Sequence, residues 1–353
     1  MNSKQRVMRA FAREKSDRVP LDYNANPTIH AKIQKALGAS SYDDVLNALN
    51  VDFRGVYVPF NGEVKFKRIE GLKVDPVYGF YTRWVDNEFG GYDDFCNFPL
   101  AGATEEEVDN FHVPSPDEFD YSFVPDQVKA YGEFAISCGD PGFADVINAT
   151  GRVMGMEDTL VNLMIEDPAT IRYIERRSEM ELGKLERIIE AAKGGIDFMW
   201  IGEDLGTQIG PMISLDLYRK VLRPIHQKYI DLAKSYDLPV MVHSCGSSSW
   251  VYEDFIEMGV DAVDTLQPEA ADMSPSYLVE KFAGRLSFHG CISTAGPLAY
   301  GSAEDVVKNV KETLEIMKPN YGYMLAPTHA IQDNTPVENV IAMYRAAKEY
   351  GKY

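Results

Sequence analysis

The chain has 353 residues, 45% of them hydrophobic, and its 54 acidic residues outnumber 35 basic ones to give a net charge of −19. So acidic a surface argues against nucleic acid and anionic membranes as partners, because both are polyanions. No linker, charge block or composition shift divides the sequence, so we expect one domain over residues 1–353.

The four cysteines are too few for a disulfide framework in a chain of this length, and two of them stand two residues after a histidine. The first residues lack the apolar core of a signal peptide. No apolar stretch approaches the roughly 18 residues that span a bilayer. We therefore expect reduced thiols, no transmembrane helix and a cytoplasmic location.

The N-terminal half begins with a predicted helix at 3–13, a first strand at 18–23 and a second strand at 51–58. Residues 71–100 then alternate polar with apolar and aromatic residues between turn signals, which predicts a β-hairpin insertion. Such an insertion serves as a lid over the site, as a surface for a homodimer, or only as a structural cap.

The rest of the chain alternates short apolar runs with helical patterns. The runs, each followed by polar residues, cover 134–140, 198–202, 238–242, 260–266, 285–288 and 321–327, and the main helical patterns lie at 215–236, 248–258, 274–283, 303–317 and 336–350. This alternation is typical of a (β/α)8 barrel, whose chemistry lies at the C-terminal strand ends. The predicted fold is α/β, a single (β/α)8 TIM barrel with a β-hairpin insertion in the N-terminal half.

A histidine and a cysteine follow the apolar run at 238–242. His243 and Cys245 are two residues apart at a predicted strand end, and such positions face the same side of an extended chain. Imidazole and thiolate form a soft pair that suits zinc. His329 ends the last predicted strand and is the candidate third ligand, because all strand tips of a barrel face one mouth.

Other strand tips offer polar side chains for catalysis and substrate binding. Glu203 and Asp204 are the candidate catalytic residues, and either could instead complete the coordination of zinc. Tyr23, Gln267 and His289 are the candidate substrate-binding residues at the barrel mouth.

His289 and Cys291 form a second His-x-Cys pair. We expect a substrate-shaping histidine and a packed thiol there, since a metal site needs few ligands and the first pair has the better context. In the alternative of a metal-free barrel, His243 and Cys245 only line a pocket. Metal analysis distinguishes the two.

Several segments together resemble the uroporphyrinogen decarboxylase superfamily over nearly the whole chain. They are Lys4-Gln5-Arg6-Val7, Arg18-Val19-Pro20, Gly202-Glu203-Asp204-Leu205-Gly206, His243-Ser244-Cys245-Gly246 and Thr335-Pro336-Val337-Glu338-Asn339-Val340. The His-x-Cys-Gly motif is similar to that of the zinc-dependent, corrinoid-linked methyltransferases, such as the methylcobamide:coenzyme M methyltransferases. In those relatives a cysteine follows the last strand as third ligand, and His329 stands at the matching position here.

The resemblance implies a zinc-dependent methyltransferase that moves a methyl group between a small-molecule donor or acceptor and a corrinoid carried by a partner protein. One thiolate with two histidines would leave zinc positively charged, which favours demethylation, as in an O-demethylase component. The decarboxylases of the superfamily grip substrate carboxylates with N-terminal arginines. Residues 21–27, the matching region, contain none. A decarboxylase, a lyase and a metal-free ligand-binding barrel remain as alternatives.

Overall fold

The computed structural model describes residues 1–353. Its strands are β1 Phe53–Gly55, β2 Lys73–Val74, β3 Tyr81–Asn87, β4 Gly90–Cys96, β5 Ala135–Cys138, β6 Phe198–Gly202, β7 Val240–Ser244, β8 Ala262–Thr265, β9 Ser287–Ile292 and β10 Tyr323–Pro327. Its α-helices are α1 Ser3–Phe11, α2 Pro27–Leu37, α3 Tyr42–Ala48, α4 Glu105–Asn110, α5 Val124–Ala130, α6 Ile147–Met154, α7 Met156–Ile165, α8 Pro168–Ala192, α9 Leu215–Leu217, α10 Arg223–Ser235, α11 Tyr252–Met258, α12 Pro275–Phe282, α13 Pro297–Tyr300, α14 Ala303–Met317 and α15 Val337–Tyr350.

Seven parallel strands form one curled sheet in the order β1-β5-β6-β7-β8-β9-β10. The segment around Leu21 takes the eighth place: Leu21 bridges Leu325 of β10, and the Asp52 N–H donates to the Leu21 carbonyl. Sheet order and closure confirm the predicted TIM-barrel fold. The predicted first strand at 18–23 is reduced to bridges, because Pro20 has no N–H to donate to a ladder.

The predicted hairpin insertion is confirmed as a separate antiparallel sheet in the order β2-β3-β4. Tyr81 of β3 pairs with Cys96 of β4, and Trp84 pairs with Asp93. Trp84 is half exposed, whereas Tyr81 is buried, so one end of the hairpin is anchored and the other projects. Whether this sheet acts as a lid, a homodimer surface or a cap stays a prediction.

The helices pack on the outside of the barrel through apolar stripes. In α14 the buried residues Val306, Val310, Leu314 and Met317 recur every three or four positions, which places them on one face. Ser302 caps its N-terminus together with Asp305 in a capping box, so this helix begins where its sequence predicts. No helix of the structure combines the length and the apolar character that crossing a bilayer requires.

Candidate metal centre

Three side chains of different chemistry converge at the C-terminal ends of β6 and β7. One ligand atom each from Asp204, His243 and Cys245 lies within 4.8 Å of the other two. The Cys245 Sγ lies 3.4 Å from the His243 Nε2, and the same nitrogen lies 3.7 Å from the Asp204 Oδ1. A sulfur, a nitrogen and an oxygen donor therefore surround one point.

Strand pairing and a close backbone contact bring these residues together. Gly202 of β6 pairs with His243 of β7, and the Cys245 N–H donates to the Asp204 Oδ1 at 2.9 Å. Gly246 has φ +70°, and a Cβ there would lie 2.4 Å from the Gly206 carbonyl oxygen. Only glycine allows this approach, which explains the Gly that follows the His-x-Cys pair.

The His243 ring is oriented by a buried carboxylate. Its Nδ1–H donates to the Asp264 Oδ2 at 2.6 Å, which turns the Nε2 toward Cys245. Burial lowers the pKa of His243, but the Asp264 carboxylate more than offsets this and raises that pKa well above its usual value. A carboxylate on the far ring nitrogen is the usual support of a metal-binding histidine, because it fixes the tautomer.

Asp264 also accepts from a second histidine. The His289 Nδ1–H donates to the Asp264 Oδ1 at 2.6 Å, and the His289 Nε2 lies 3.2 Å from the Asp22 Oδ2. Burial alone would raise the pKa of Asp264, yet the two imidazoles lower it to about 2. Burial alone would lower the pKa of His289, but Asp264 and Asp22 raise it to about 9. His289 is thus a buried imidazolium between two carboxylates.

Asp264 is a site residue that the sequence-based prediction missed, although its position carries a signal. His243, Asp264 and His289 stand side by side in register on β7, β8 and β9. An acidic residue inside the apolar run at 260–266 is costly to bury unless a partner faces it, so its presence indicates a site. Asp22 lies in the predicted first strand and carries the same signal.

Two cavities occupy the barrel mouth next to these residues. A smaller one of about 130 Å³ touches His243 and Asp264. A larger one of about 410 Å³ extends from it toward β1. The walls common to both are formed by Asp22, Tyr23, Asn24, Pro141 and Trp200.

Of the predicted substrate-binding residues, Tyr23 and His289 line the smaller cavity, whereas Gln267 does not. Gln267 supports the metal-binding loop instead, because its Oε1 accepts from the Gly246 N–H at 2.5 Å. The Tyr23 ring forms a wall of the cavity, and its hydroxyl lies 3.0 Å from the His30 Nδ1.

His329 lines the smaller cavity, on the side formed by β10. Its side chain is exposed and lies outside the group of three convergent donors. Its Nδ1 has a weak 3.4 Å contact with the Gln332 amide. Its role as a zinc ligand stays a prediction.

Glu203 lies behind the site and does not line either cavity of the mouth. Its carboxylate accepts from the N–H groups of Val146 and Ile147, at the start of α6, and it is 1% exposed. Burial raises the pKa of Glu203 to about 8. Its predicted catalytic role stays a prediction, and these contacts favour a positioning role. Asp204, the other predicted catalytic residue, faces the metal-binding group.

Comparisons with known proteins agree on the fold. The family model described as uroporphyrinogen decarboxylase (URO-D) matches residues 154–350. The chain is similar in structure to a methyltransferase from Methanosarcina mazei, with a TM-score of 0.67 over 99% of each chain and 17% sequence identity. No curated protein sequence matches. At such an identity the structural likeness shows the fold alone.

Proposed function

The chain belongs to the uroporphyrinogen decarboxylase family, and we propose that it is a zinc-dependent methyltransferase of that family. In this proposal it moves a methyl group between a small molecule and a corrinoid carried by a partner protein. The observation that carries the proposal is the convergence of Asp204, His243 and Cys245 at the strand tips. The fold shared with a methyltransferase is consistent with it.

The donor set fits zinc by its chemistry. Thiolate, imidazole and carboxylate are the three donor types that zinc takes in proteins, and three protein ligands leave one position for substrate. We propose Asp204, His243 and Cys245 as the main ligands. His329, which lines the cavity beside His243, is the candidate ligand for that fourth position when substrate is absent. Bound there, zinc would act as a Lewis acid on a heteroatom of the substrate.

The protein's own residues prepare this site before any ligand binds. Asp264 accepts from the His243 Nδ1–H and turns Nε2 toward Cys245, and the Asp204 carboxylate accepts from the Cys245 N–H and holds that residue in place. His289 keeps a proton between Asp22 and Asp264, so the Asp264 carboxylate stays charged although it is buried. Preorganised donors of this kind avoid a reorganisation cost when substrate arrives.

The direction of transfer does not follow from the charges. A ligand set with a single thiolate would favour an electrophilic metal and therefore demethylation. With Asp204 included, the ligands carry two negative charges and balance the metal, so that reason no longer applies. Activity assays must therefore cover both directions, including O-demethylation.

The cavities favour a small substrate without several negative charges. Aromatic side chains line the larger cavity, among them Tyr42, Phe53 and Trp200. Its one arginine, Arg54, donates to the Asp43 Oδ1 at 3.0 Å and is nearly fully buried. No arginine of this cavity is thus free to bind substrate carboxylates, which argues against porphyrinogen decarboxylation.

The test measures metal and activity on one preparation. Protein purified without a metal-affinity tag is analysed for zinc and then mixed with cob(I)alamin and methoxylated, N-methylated or S-methylated compounds. The reverse assay offers methylcobalamin to thiols. We expect about one zinc per chain and an absorbance change of the corrinoid with at least one compound.

Matched variants tie the activity to the site. Cys245→Ser should lose both metal and transfer, whereas Cys291→Ala, at the other His-x-Cys pair, should keep both. Absence of metal from the wild-type protein would favour the metal-free binding barrel. Turnover of a porphyrinogen without methyl transfer would favour the decarboxylase.

A further inference from the structure

A third cavity, of about 240 Å³, lies outside the barrel mouth. It is bounded by Tyr78 and Phe80 from the hairpin insertion and by Tyr173 and Lys184 from α8. It has only Asp140 in common with the larger cavity of the mouth and no residue in common with the smaller one. The loop between β5 and α6 separates it from the metal centre, so a molecule bound here would not touch the metal-binding residues.

Lys184 is a cation without a partner in this cavity. It forms no ion pair and no side-chain hydrogen bond; burial lowers its pKa, and the charges of Glu181 and Asp140 offset this only in part. Its Nζ lies 4.1 Å from the ring centroid of Phe119 and 5.2 Å from that of Phe143. Ring faces stabilise an ammonium group but accept none of its three N–H bonds fully.

A second cation lines the same cavity with a weak partner. Arg152 lies 3.9 Å from the Asp145 carboxylate, at the limit of an ion pair, and its guanidinium lies 5.3 Å from the ring centroid of Phe95. The third cation, Arg177, is satisfied, because it pairs with Glu181 at 2.6 Å and donates to backbone carbonyls. Arg152 and Lys184 therefore supply the charge available to a ligand.

The remaining walls are aromatic and offer two hydroxyl groups. The hydroxyls of Tyr78 and Tyr173 have no hydrogen-bond partner within the protein. The charged groups near them affect their pKa values without forming a hydrogen bond to them. Phe80 and Phe143 add apolar ring surface. A flat apolar body would pack against these rings, while a carboxylate would pair with the cations.

We propose that this cavity is a second binding site, whose ligand is a small aromatic carboxylate. The carboxylate accepts from Lys184 and Arg152, and the aromatic ring packs between the hairpin and α8. The rim carboxylate of Asp140 disfavours ligands with several negative charges. The proposal does not depend on methyl transfer, because no residue of this cavity belongs to the metal centre.

Benzoate is the probe that tests the proposal on the full chain, by titration calorimetry. Wild-type protein should bind it, and Lys184→Met should weaken binding roughly tenfold or more, since it removes one charge-assisted hydrogen bond. Lys184→Arg should restore most of the affinity. Arg187→Met, on the same helix but outside the cavity and paired with Asp117, is the control and should bind as wild type.

Benzyl alcohol has nearly the same shape without the charge and should bind far more weakly than benzoate. A cooperative thermal unfolding transition in each variant ensures that the titrations compare folded proteins. Equal binding of benzyl alcohol and benzoate, unchanged affinity in Lys184→Met, or no benzoate binding to wild type would each overturn the proposal.

Discussion

Two His-x-Cys pairs, one at the end of β7 and one within β9, have the same spacing and different surroundings. The His243 side chain is 14% exposed, and its Nε2 faces Cys245 and Asp204. The His289 side chain is 3% exposed and has both nitrogens engaged by carboxylates. The first histidine can bind a metal, whereas the second holds the Asp264 carboxylate that the two share.

The cysteines differ because the backbone differs. Cys245 follows an extended strand, so it faces the same side as His243 and lies 3.4 Å from it. Cys291 has φ +71° and follows Gly290 with φ +121°, which ends the alternation of an extended chain. The Cys291 thiol is packed in the core, 1% exposed, and burial raises its pKa. A motif therefore acquires its chemistry from backbone geometry and neighbours as much as from its letters.

The largest expected effect separates the two cysteines. Cys245→Ser should weaken zinc binding by more than roughly 100-fold, because it removes the soft donor. Cys291→Ala should leave zinc affinity unchanged and lower only stability, since its thiol is core. Competition with a chromophoric chelator measures both. Equal losses of zinc in the two variants would contradict this distinction.

The carboxylate shared by both pairs comes next. Asp264→Asn should weaken zinc binding roughly 10- to 100-fold, the usual cost of losing the partner of a metal-binding histidine. His243 then loses the acceptor that fixes its tautomer. The same chelator competition, with circular dichroism to confirm folding, gives the result. Zinc affinity equal to that of wild type would show that Asp264 does not orient His243.

In the second pair, His289 should affect the pH dependence of folding stability. His289 has a pKa of about 9 in the folded protein, above the ordinary 6.5. A raised pKa means that its stabilisation is fully present below about pH 6.5 and is lost as pH rises through about 9. The free energy of unfolding of the metal-free wild type should therefore exceed that of His289→Gln by on the order of 2 kcal/mol at pH 6, and by less at pH 9.5.

Denaturant unfolding of the wild type and of His289→Gln at several pH values measures this difference. Contributions from titrating groups that do not contact His289 cancel in the comparison. A stability difference that stays constant from pH 6 to pH 9.5 would mean that His289 is not held as an imidazolium.

The smallest expected effect is that of His329→Ala. His329 is exposed and lies outside the convergent group, so binding zinc would cost it side-chain conformational entropy. We therefore expect His329→Ala to lower zinc affinity only roughly threefold. A loss as large as that of Cys245→Ser would make it a principal ligand. No loss at all would remove it from the ligand set.

Much of the barrel follows from sequence periodicity, because buried parallel strands and amphipathic helices have distinct patterns. The predicted helix at 303–317 coincides with α14, whose capping residues mark its start. The first strand is different: Pro20 prevents a regular ladder, so its place in the barrel depends on contacts with β10 that no local pattern encodes.

The site could be predicted only in part. His243 and Cys245 follow from the two-residue period of a strand. Glu203 and Asp204 point to opposite sides, and the sequence does not decide which one faces the mouth. The N–H groups of Val146 and Ile147, from a distant part of the chain, donate to Glu203 and hold it behind the site, so that Asp204 faces the mouth.

The central claim is that one zinc binds at Cys245 with nitrogen and oxygen ligands, and X-ray absorption at the zinc edge tests it directly. Wild-type protein should show one sulfur at about 2.3 Å together with nitrogen or oxygen neighbours at about 2.0–2.2 Å. The sulfur should vanish in Cys245→Ser and persist in Cys291→Ala. A zinc shell without sulfur, or one with two sulfurs, would contradict the claim.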